Sequence, residues 1–309
     1  MEPDKTIERL LTEAWDRTIP SLETLTTVDM LKVMNAGDQT VPLLVRDHLA
    51  EIAEAVDAIS DRLRRGGRMF YVGAGTSGRL GILDAAECPP TFNTDPAMVQ
   101  AFIAGGPAAL VHAVEGAEDS VEAGQAQMHE ADVHSQDVVV GLSASGRTPF
   151  VLGALAEGRR RGACTVSVSA NADPEVKEFS DIVIAIPTGA EVIMGSTRLK
   201  AGTATKLVLN MLTTAAMVRL GKTYRNLMVD LKATNYKLVD RSRRIVMLAL
   251  EIDYDAAAGL LDHCEQEVKT AIVAGLLKVS PDSARKLLRQ QQGALAAIVK
   301  GAGAISGNL

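Results

Sequence analysis

The chain has 309 residues, of which 47% are hydrophobic, 23% are charged and only 3% are aromatic, and its formal net charge is −6. This length and apolar fraction suffice for one large α/β domain with helical additions. The acidic balance and the scarcity of aromatic rings exclude a nucleic-acid-binding protein that uses a basic surface and base stacking. The sequence has no uninterrupted apolar run of about 18 residues, so we expect no membrane-spanning helix.

The cysteines and histidines argue against a metal site and against disulfide bonds. The three cysteines are widely scattered, and the five histidines show no paired metal-ligand spacing. The N-terminal residues 1–5 do not resemble a secretory signal peptide. We therefore expect a cytoplasmic protein, in a reducing compartment, that uses neither a metal nor another cofactor.

Residues 1–65 are predicted to form a helical segment that packs on the core. Thr26 and Thr27 precede apolar residues at helical spacing, which predicts a capped helix. A longer amphipathic pattern over residues 41–63 predicts one further helix, which Gly66 and Gly67 end.

Short apolar segments then alternate with helical patterns, which predicts an α/β domain over residues 66–225. Such alternation indicates a parallel sheet covered by helices on both faces, here a doubly wound sheet of five strands. The predicted strands are residues 69–72, 99–103, 137–142, 165–168 and 181–186. The predicted helices between them are residues 79–86, 107–128, 149–161 and 174–179.

The remainder of the chain is predicted to be helical. Ser196 and Thr197 are expected to cap a long helix that ends near residue 220, and its small residues 201–204 permit close backbone packing. A helical C-terminal domain is predicted over residues 226–309.

A glycine-rich loop follows the first predicted strand. Its glycines have the spacing Gly73-x-Gly75-x-x-Gly78, and Thr76 and Ser77 add hydroxyl groups. The unpaired N–H groups and the dipole of the following helix favour an anion at this point. The spacing also fits a dinucleotide fingerprint, but the second strand ends without the acidic residue that binds a ribose.

A second hydroxyl-rich turn follows the third predicted strand. Because adjacent parallel strands end at the same edge of a sheet, we expect the two turns to surround one phosphate monoester. The alternative is that both are ordinary turn and cap residues. The predicted substrate- and phosphate-binding residues are Gly75, Thr76, Ser77, Arg79, Ser143, Ser145, Arg147 and Thr148.

The paired loops resemble the sugar isomerase (SIS) domain, a phosphosugar-binding α/β fold. Residues 73–92, including the unusual run from Glu87 to Phe92, resemble the signature of the N-acetylmuramic acid 6-phosphate etherases. Further matching segments are residues 103–106, 113–119, 141–149, 195–206, 226–230 and 233–235. The resemblance extends over almost the whole chain.

The resemblance implies a lyase that cleaves the D-lactyl ether by elimination and hydration, in the recycling of cell-wall amino sugars. It implies that Glu87 is the acid/base residue and that Glu118 is the second active-site carboxylate. Burial is expected to raise the pKa of one of the two. It also implies a homodimer whose ligand is a small-molecule amino sugar phosphate, with no nucleic acid or membrane partner.

Several alternatives stay open at this stage. Glu115 and Glu122 are expected on the same face of helix 107–128 as Glu118, so position alone does not distinguish Glu118 from Glu115. Glu191 is a third carboxylate candidate, and Pro89-Pro90 are expected to end the helix just after Glu87. A phosphosugar isomerase and a non-catalytic phosphosugar-binding regulator remain alternative functions.

Overall fold

The computed structural model describes residues 10–231 and 236–299. The chain divides into two compact units. The first comprises Met1–Ala86 and Pro96–Thr213, and the second comprises Glu87–Asp95 and Thr214–Leu309. The domain boundaries at residues 65 and 225 stay predictions.

The first unit is built on a five-stranded parallel sheet, as predicted. Its strands are β1 (Met69–Gly73), β2 (Val99–Ile103), β3 (Val138–Leu142), β4 (Cys164–Ser169) and β5 (Ile182–Ala185). They lie in the order β2-β1-β3-β4-β5, so the chain reverses its direction of winding between β1 and β3. In a doubly wound sheet such a switch point opens a crevice at the carboxyl ends of the strands.

Alternate side chains of these strands pack against helices on the two faces of the sheet. On one face Phe70, Val72 and Val139 form a buried cluster with Phe150 of helix α6 (Pro149–Arg160). On the other face, helix α4 (Gly75–Phe92) comes so close that a Cβ added at Gly81 would lie 3.0 Å from the Tyr71 side chain.

The N-terminal helices follow the prediction in part. Helix α1 (Thr27–Asp38) is capped by Thr26, whose hydroxyl accepts the N–H of Asp29 at 3.2 Å. The single helix predicted over residues 41–63 is wrong, because the chain forms α2 (Val41–Arg46) and α3 (Leu49–Arg64). His48 leaves the helical region with φ −115° and ψ 19°. The apolar periodicity of the sequence continues across this break, so the periodicity gave no sign that the helix is interrupted.

The single helix predicted over residues 107–128 is also wrong. The segment contains 3-10 helices at Gly106–Leu110 and Ala117–Asp119 before helix α5 (Val121–Glu130). Glycines with positive φ, Gly105 (85°) and Gly116 (70°), precede the two 3-10 helices. Glu115 and Glu118 therefore do not share the face of one α-helix. The helix predicted over residues 174–179 is a 3-10 helix at Glu175–Phe179.

Helix α4 does not end at its two prolines. It continues through Pro89 and Pro90 to Phe92, contrary to the prediction. The prolines leave the carbonyls of Ala85 and Ala86 without their usual intrahelical N–H partners, and the helix ends two residues after Pro90. The helix ends at Asn93, whose φ is 49° and whose N–H bonds to the Pro89 carbonyl at 2.9 Å.

Helix α7 (Lys200–Arg219) begins later than predicted and has a different cap. The carboxylate of Glu191 accepts the N–H groups of Lys200 and Ala201, each at 2.9 Å. Ser196 and Thr197 therefore precede the helix without capping it. Ala201 and Ala204 are buried within this chain, and a Cβ added at Gly202 would lie 3.5 Å from the Thr76 methyl group.

The second unit is helical, as predicted for the C-terminal region. Its helices are α8 (Tyr236–Leu250), α9 (Tyr254–His263), α10 (Val268–Leu277) and α11 (Pro281–Gln290). Within the motif at residues 226–230, Asp230 forms ion pairs with Lys222 and Lys269, both at 2.9 Å. The motif at residues 233–235 lies outside the described residues. In the described part of the chain, no helix combines the length and the apolar character needed to cross a membrane.

Candidate active site

The first loop turns tightly between β1 and α4. A Cβ added at Gly73 would lie 2.8 Å from the Gly78 nitrogen, and one added at Gly78 would lie 2.9 Å from the Gly73 carbonyl oxygen. Gly75 has φ 50°, in the left-handed region that favours glycine. The glycines thus bring the N-terminus of α4 directly against the end of the strand, where Thr76 and Ser77 are half-buried.

The second loop is organised by one buried serine. The Ser143 hydroxyl lies 2.8 Å from the Thr148 hydroxyl and 3.3 Å from that of Ser145, and it accepts the Gly146 N–H at 3.0 Å. Thr148 is the N-cap residue of α6. Three hydroxyl groups and the start of a helix therefore converge at the end of β3, an arrangement that suits an oxyanion.

The two loops leave the sheet side by side. Gly73, the last residue of β1, is in parallel register with Leu142, the last residue of β3. Neighbouring strands lie about 4.8 Å apart, so both loops start within the reach of one small ligand. Which residues bind a phosphate group stays a prediction.

The second loop depends on a residue that the sequence reasoning missed. The buried side-chain amide of Asn171 donates to the carbonyl oxygens of Ala144 (3.0 Å) and Ser145 (3.3 Å), while its oxygen accepts the Leu11 N–H at 2.9 Å. Asn171 follows β4 as an ordinary turn residue does, so no local pattern marks this role.

Arg147 is not available as an unpaired cation in this structure. Its guanidinium group forms an ion pair with the Glu175 carboxylate, at the start of the 3-10 helix that follows β4. Its positive charge is therefore partly offset before any ligand binds.

A cavity of about 200 Å³ lies beside the first loop. Gly75 and Arg79 line it from α4, and Glu115 and Glu118 line it from the segment that follows β2. The remaining wall consists largely of small side chains, which leave the space open: Ala74, Ala104, Ala109, Ala113 and Ala117. The structure thus brings Arg79 and Glu118 to one cavity, and Glu115 is there as well.

Glu87 and Glu118 are both exposed in this chain. The fold of the single chain therefore buries neither carboxylate, and the expectation that burial acts on one of them stays a prediction. Glu87 lies on α4 in the second unit, whereas Glu118 and the two loops belong to the first. Within the described residues, no group of three or more His, Cys, Asp or Glu side chains is arranged to hold a metal ion.

Comparisons with known proteins agree with the fold and identify the family. A family model for the SIS domain matches residues 114–215, and one for the glucokinase regulatory protein N-terminal SIS domain matches residues 51–158. The N-acetylmuramic acid 6-phosphate etherase of Glaesserella parasuis serovar 5 (strain SH0165) is 49% identical over 289 residues, which cover 94% of this chain and 95% of that protein. The chain belongs to the N-acetylmuramic acid 6-phosphate etherase family.

A second member of this etherase family, from Streptomyces avermitilis, is 50% identical over 296 residues, which cover 96% of this chain and 95% of that protein. Among solved structures, a phosphoheptose isomerase from Francisella tularensis is similar with a TM-score of 0.48 and 14% identity, over 63% of this chain and 100% of that chain. That likeness is too weak to carry an argument about function. The SIS-domain match and the parallel sheet confirm the predicted SIS fold.

One partly buried carboxyl group of this etherase-family chain, Asp84, was not singled out by the sequence reasoning. Burial raises the pKa of Asp84 to about 6, although hydrogen bonds from Tyr71 and Thr213 and the charge of Lys206 act against the rise. Both hydroxyl groups come from segments distant in sequence, on β1 and α7. Helical periodicity therefore gives no sign of this site.

Glu191, the third carboxylate candidate, holds the start of helix α7 in place. Its side chain is only 1% exposed, and its two oxygens cap α7. An etherase needs carboxylates that reach the sugar, whereas both oxygens of Glu191 are already bound to backbone N–H groups.

Proposed function

We propose that this protein cleaves the D-lactyl ether of N-acetylmuramic acid 6-phosphate, releasing N-acetylglucosamine 6-phosphate and D-lactate in cell-wall amino sugar recycling. The observation that carries this proposal is the identity of 49% and 50% with etherases over 94% and 96% of the chain. The two loops at the switch point of the sheet support it, because they offer hydroxyl and N–H donors to a phosphate monoester.

In this proposal the second loop binds the 6-phosphate. The hydroxyl groups of Ser145 and Thr148 lie 3.3 Å and 2.8 Å from that of Ser143, and all three can turn their O–H bonds towards one anion. The N–H groups at the start of α6 add donors and a favourable dipole. Thr76 and Ser77 of the first loop bind the same substrate from the adjacent strand end.

The chemistry then requires one proton to leave carbon and one to reach oxygen. The sugar ring opens to the C1 aldehyde, a carboxylate removes the C2 proton, and the electron pair forms the C2–C3 double bond as the C3–O bond breaks. A carboxylic acid gives its proton to the departing lactate oxygen. Water then adds to C3 and a proton returns to C2. Glu87 and Glu118 perform these transfers, each contributing about 10²–10⁴-fold.

We also propose that the protein is a cytoplasmic homodimer. The first unit exposes large apolar side chains that a second copy would cover, among them Val111 (77% exposed), Ile193 (54%) and Met194 (57%). Among the described residues, no disulfide bond joins Cys88, Cys164 or Cys264, as is usual in a reducing compartment.

The test is a lactate assay with the purified, chelator-treated protein and N-acetylmuramic acid 6-phosphate. We expect stoichiometric D-lactate from the wild type and a loss of about 10²–10⁴-fold in Glu87→Gln, which should still bind N-acetylglucosamine 6-phosphate. Glu122→Gln, at an exposed glutamate that bonds to Ser120, is the matched control and should retain activity. A sugar-phosphate isomer without lactate would indicate an isomerase, and tight binding without turnover a regulator.

A further inference from the structure

Arg79 presents unused hydrogen-bond donors to the cavity beside the first loop. Its Nε donates to the Leu110 carbonyl at 3.1 Å, which fixes the direction of the side chain. The two terminal nitrogens have no hydrogen-bond or ion-pair partner among the described residues. Since the half-buried Arg79 also lines the cavity, these terminal N–H groups are available to a ligand there.

Two carboxylates share this cavity with Arg79, yet neither forms an ion pair with it. Glu115 and Glu118 both line the cavity, from the segment that follows β2. A guanidinium group is a planar fork that binds a carboxylate through two parallel hydrogen bonds. Its charge also lowers the cost of bringing an anionic ligand close to Glu115 and Glu118.

We propose that Arg79 binds the lactyl carboxylate of the substrate, and so selects sugar phosphates that carry this ether. The inference rests on the proposed function and deepens it, because it gives the second anionic group of the substrate a separate site. Arg79 is then a specificity-determining residue, distinct from the phosphate-binding role that the sequence suggested.

The positions of the strands support two separate anion sites. The hydroxyl cluster around Ser143 follows β3, whereas the cavity with Arg79 lies beyond β1 and β2, on the other side of the switch point. With strands about 4.8 Å apart, two strand spacings are about 10 Å. Phosphorus and the carboxylate carbon of the open-chain substrate are separated by eight bonds, which reach about 10 Å in an extended chain. One substrate molecule can therefore occupy both sites.

The cavity also has a suitable size. Its volume of about 200 Å³ corresponds to the liquid volume of roughly six or seven water molecules. A lactyl group has about as many non-hydrogen atoms, and the alanine-lined wall accommodates its methyl group. After cleavage, D-lactate remains on Arg79 until it leaves, while the sugar stays bound through its phosphate.

The test is a double-mutant cycle between Arg79 and the lactyl carboxylate. Wild type and Arg79→Gln are each assayed with N-acetylmuramic acid 6-phosphate and with its analogue in which the carboxylate is a carboxamide. We expect kcat/KM to fall about 10–100-fold when either partner is changed, with little further loss when both are. The inhibition constant of N-acetylglucosamine 6-phosphate, which lacks the lactyl group, should change less than about twofold.

Two further variants test whether the effect depends on the guanidinium geometry and on the position of the arginine. Arg79→Lys keeps the charge and loses the fork, so it should show an intermediate loss with the acid substrate and none with the amide. Arg159→Gln, at an exposed arginine that donates to the Glu178 carbonyl, should behave as wild type. Equal losses with both substrates, or a weaker binding of N-acetylglucosamine 6-phosphate in parallel, would overturn the assignment. If the wild type released no lactate, the proposed function itself would fail.

Discussion

The carboxylate of Asp84 on α4 accepts a hydrogen bond from the Tyr71 hydroxyl on β1 at 2.9 Å, and its other oxygen accepts one from Thr213 on α7 at 3.2 Å. One carboxyl group thus joins strand β1 to helix α4, which follows the first loop, and to helix α7, which contains the small-residue segment. Because the group is largely buried, its ionisation opposes folding.

The stability of the first unit should therefore depend on Asp84 ionisation. The folded-state pKa of about 6 lies above the usual aspartate value of 3.8. The stability that protonated Asp84 contributes is therefore complete below about pH 3.8 and is lost as the pH rises through 6. We expect Asp84→Asn to become more stable relative to wild type between pH 4 and pH 7, by on the order of 2 kcal/mol. Urea unfolding at several pH values measures this. Asp119→Asn, at an exposed carboxyl group, is the control, and parallel pH profiles of wild type and Asp84→Asn would contradict the prediction.

Glu118 and Glu115 line one cavity, and their catalytic roles can be separated. Glu118→Gln should lower kcat by about 10²–10⁴-fold with KM changed only a few-fold, because a proton-transfer group acts in the transition state. Glu115→Gln should have a much smaller effect, of less than about tenfold. The effects of both substitutions are measured by steady-state lactate release and by deuterium incorporation at C2 in D₂O. The reverse order of effects would assign the second carboxylate to Glu115.

Ser143 should control phosphate affinity through the second loop. Ser143→Ala removes the hydroxyl that bonds to Thr148 and accepts the Gly146 N–H. We expect the inhibition constant of inorganic phosphate and the KM to rise about 10–100-fold, since hydrogen bonds to a charged group are worth about 1.5–3 kcal/mol. Ser60→Ala, which removes a buried hydroxyl bonded to the Val56 carbonyl within α3, is the matched control and should leave phosphate inhibition unchanged.

Glu191 should matter for stability because it caps α7. An amide has only one acceptor oxygen, so Glu191→Gln leaves one of the N–H groups of Lys200 and Ala201 without its partner and removes a charge from the helix N-terminus. We expect a loss of about 1–3 kcal/mol in the free energy of unfolding. Denaturant titration measures this loss, and Glu130→Gln, at an exposed glutamate on α5, is the control. Equal stability of the two variants would argue against the cap.

Asp230 should stabilise the second unit by holding two lysines. Burial lowers the pKa of Lys269, while the Asp230 carboxylate acts in the opposite direction. Asp230→Asn leaves Lys222 and Lys269 without a countercharge and should cost about 2–3 kcal/mol. Hydrogen exchange should then be faster in α10 and unchanged in β3. Faster exchange in both would mean that the effect is not confined to this unit.

The sequence by itself determined the elements whose signals are local. The apolar runs of β1–β5, the Thr26 cap of α1 and the glycine spacing of the first loop arise from backbone preferences and side-chain alternation within a few residues. The etherase family, too, could be recognised from motifs such as the run from Glu87 to Phe92.

Only the tertiary structure decided where the long patterns break and which polar groups meet. Gly105 and Gly116 turn the chain where periodicity suggested one helix, and helix α4 continues through Pro89 and Pro90. The bonds from Tyr71 to Asp84 and from Lys200 to Glu191 join segments from different parts of the fold. Burial and hydrogen-bond satisfaction depend on neighbours that packing brings together, and no short stretch of sequence encodes them.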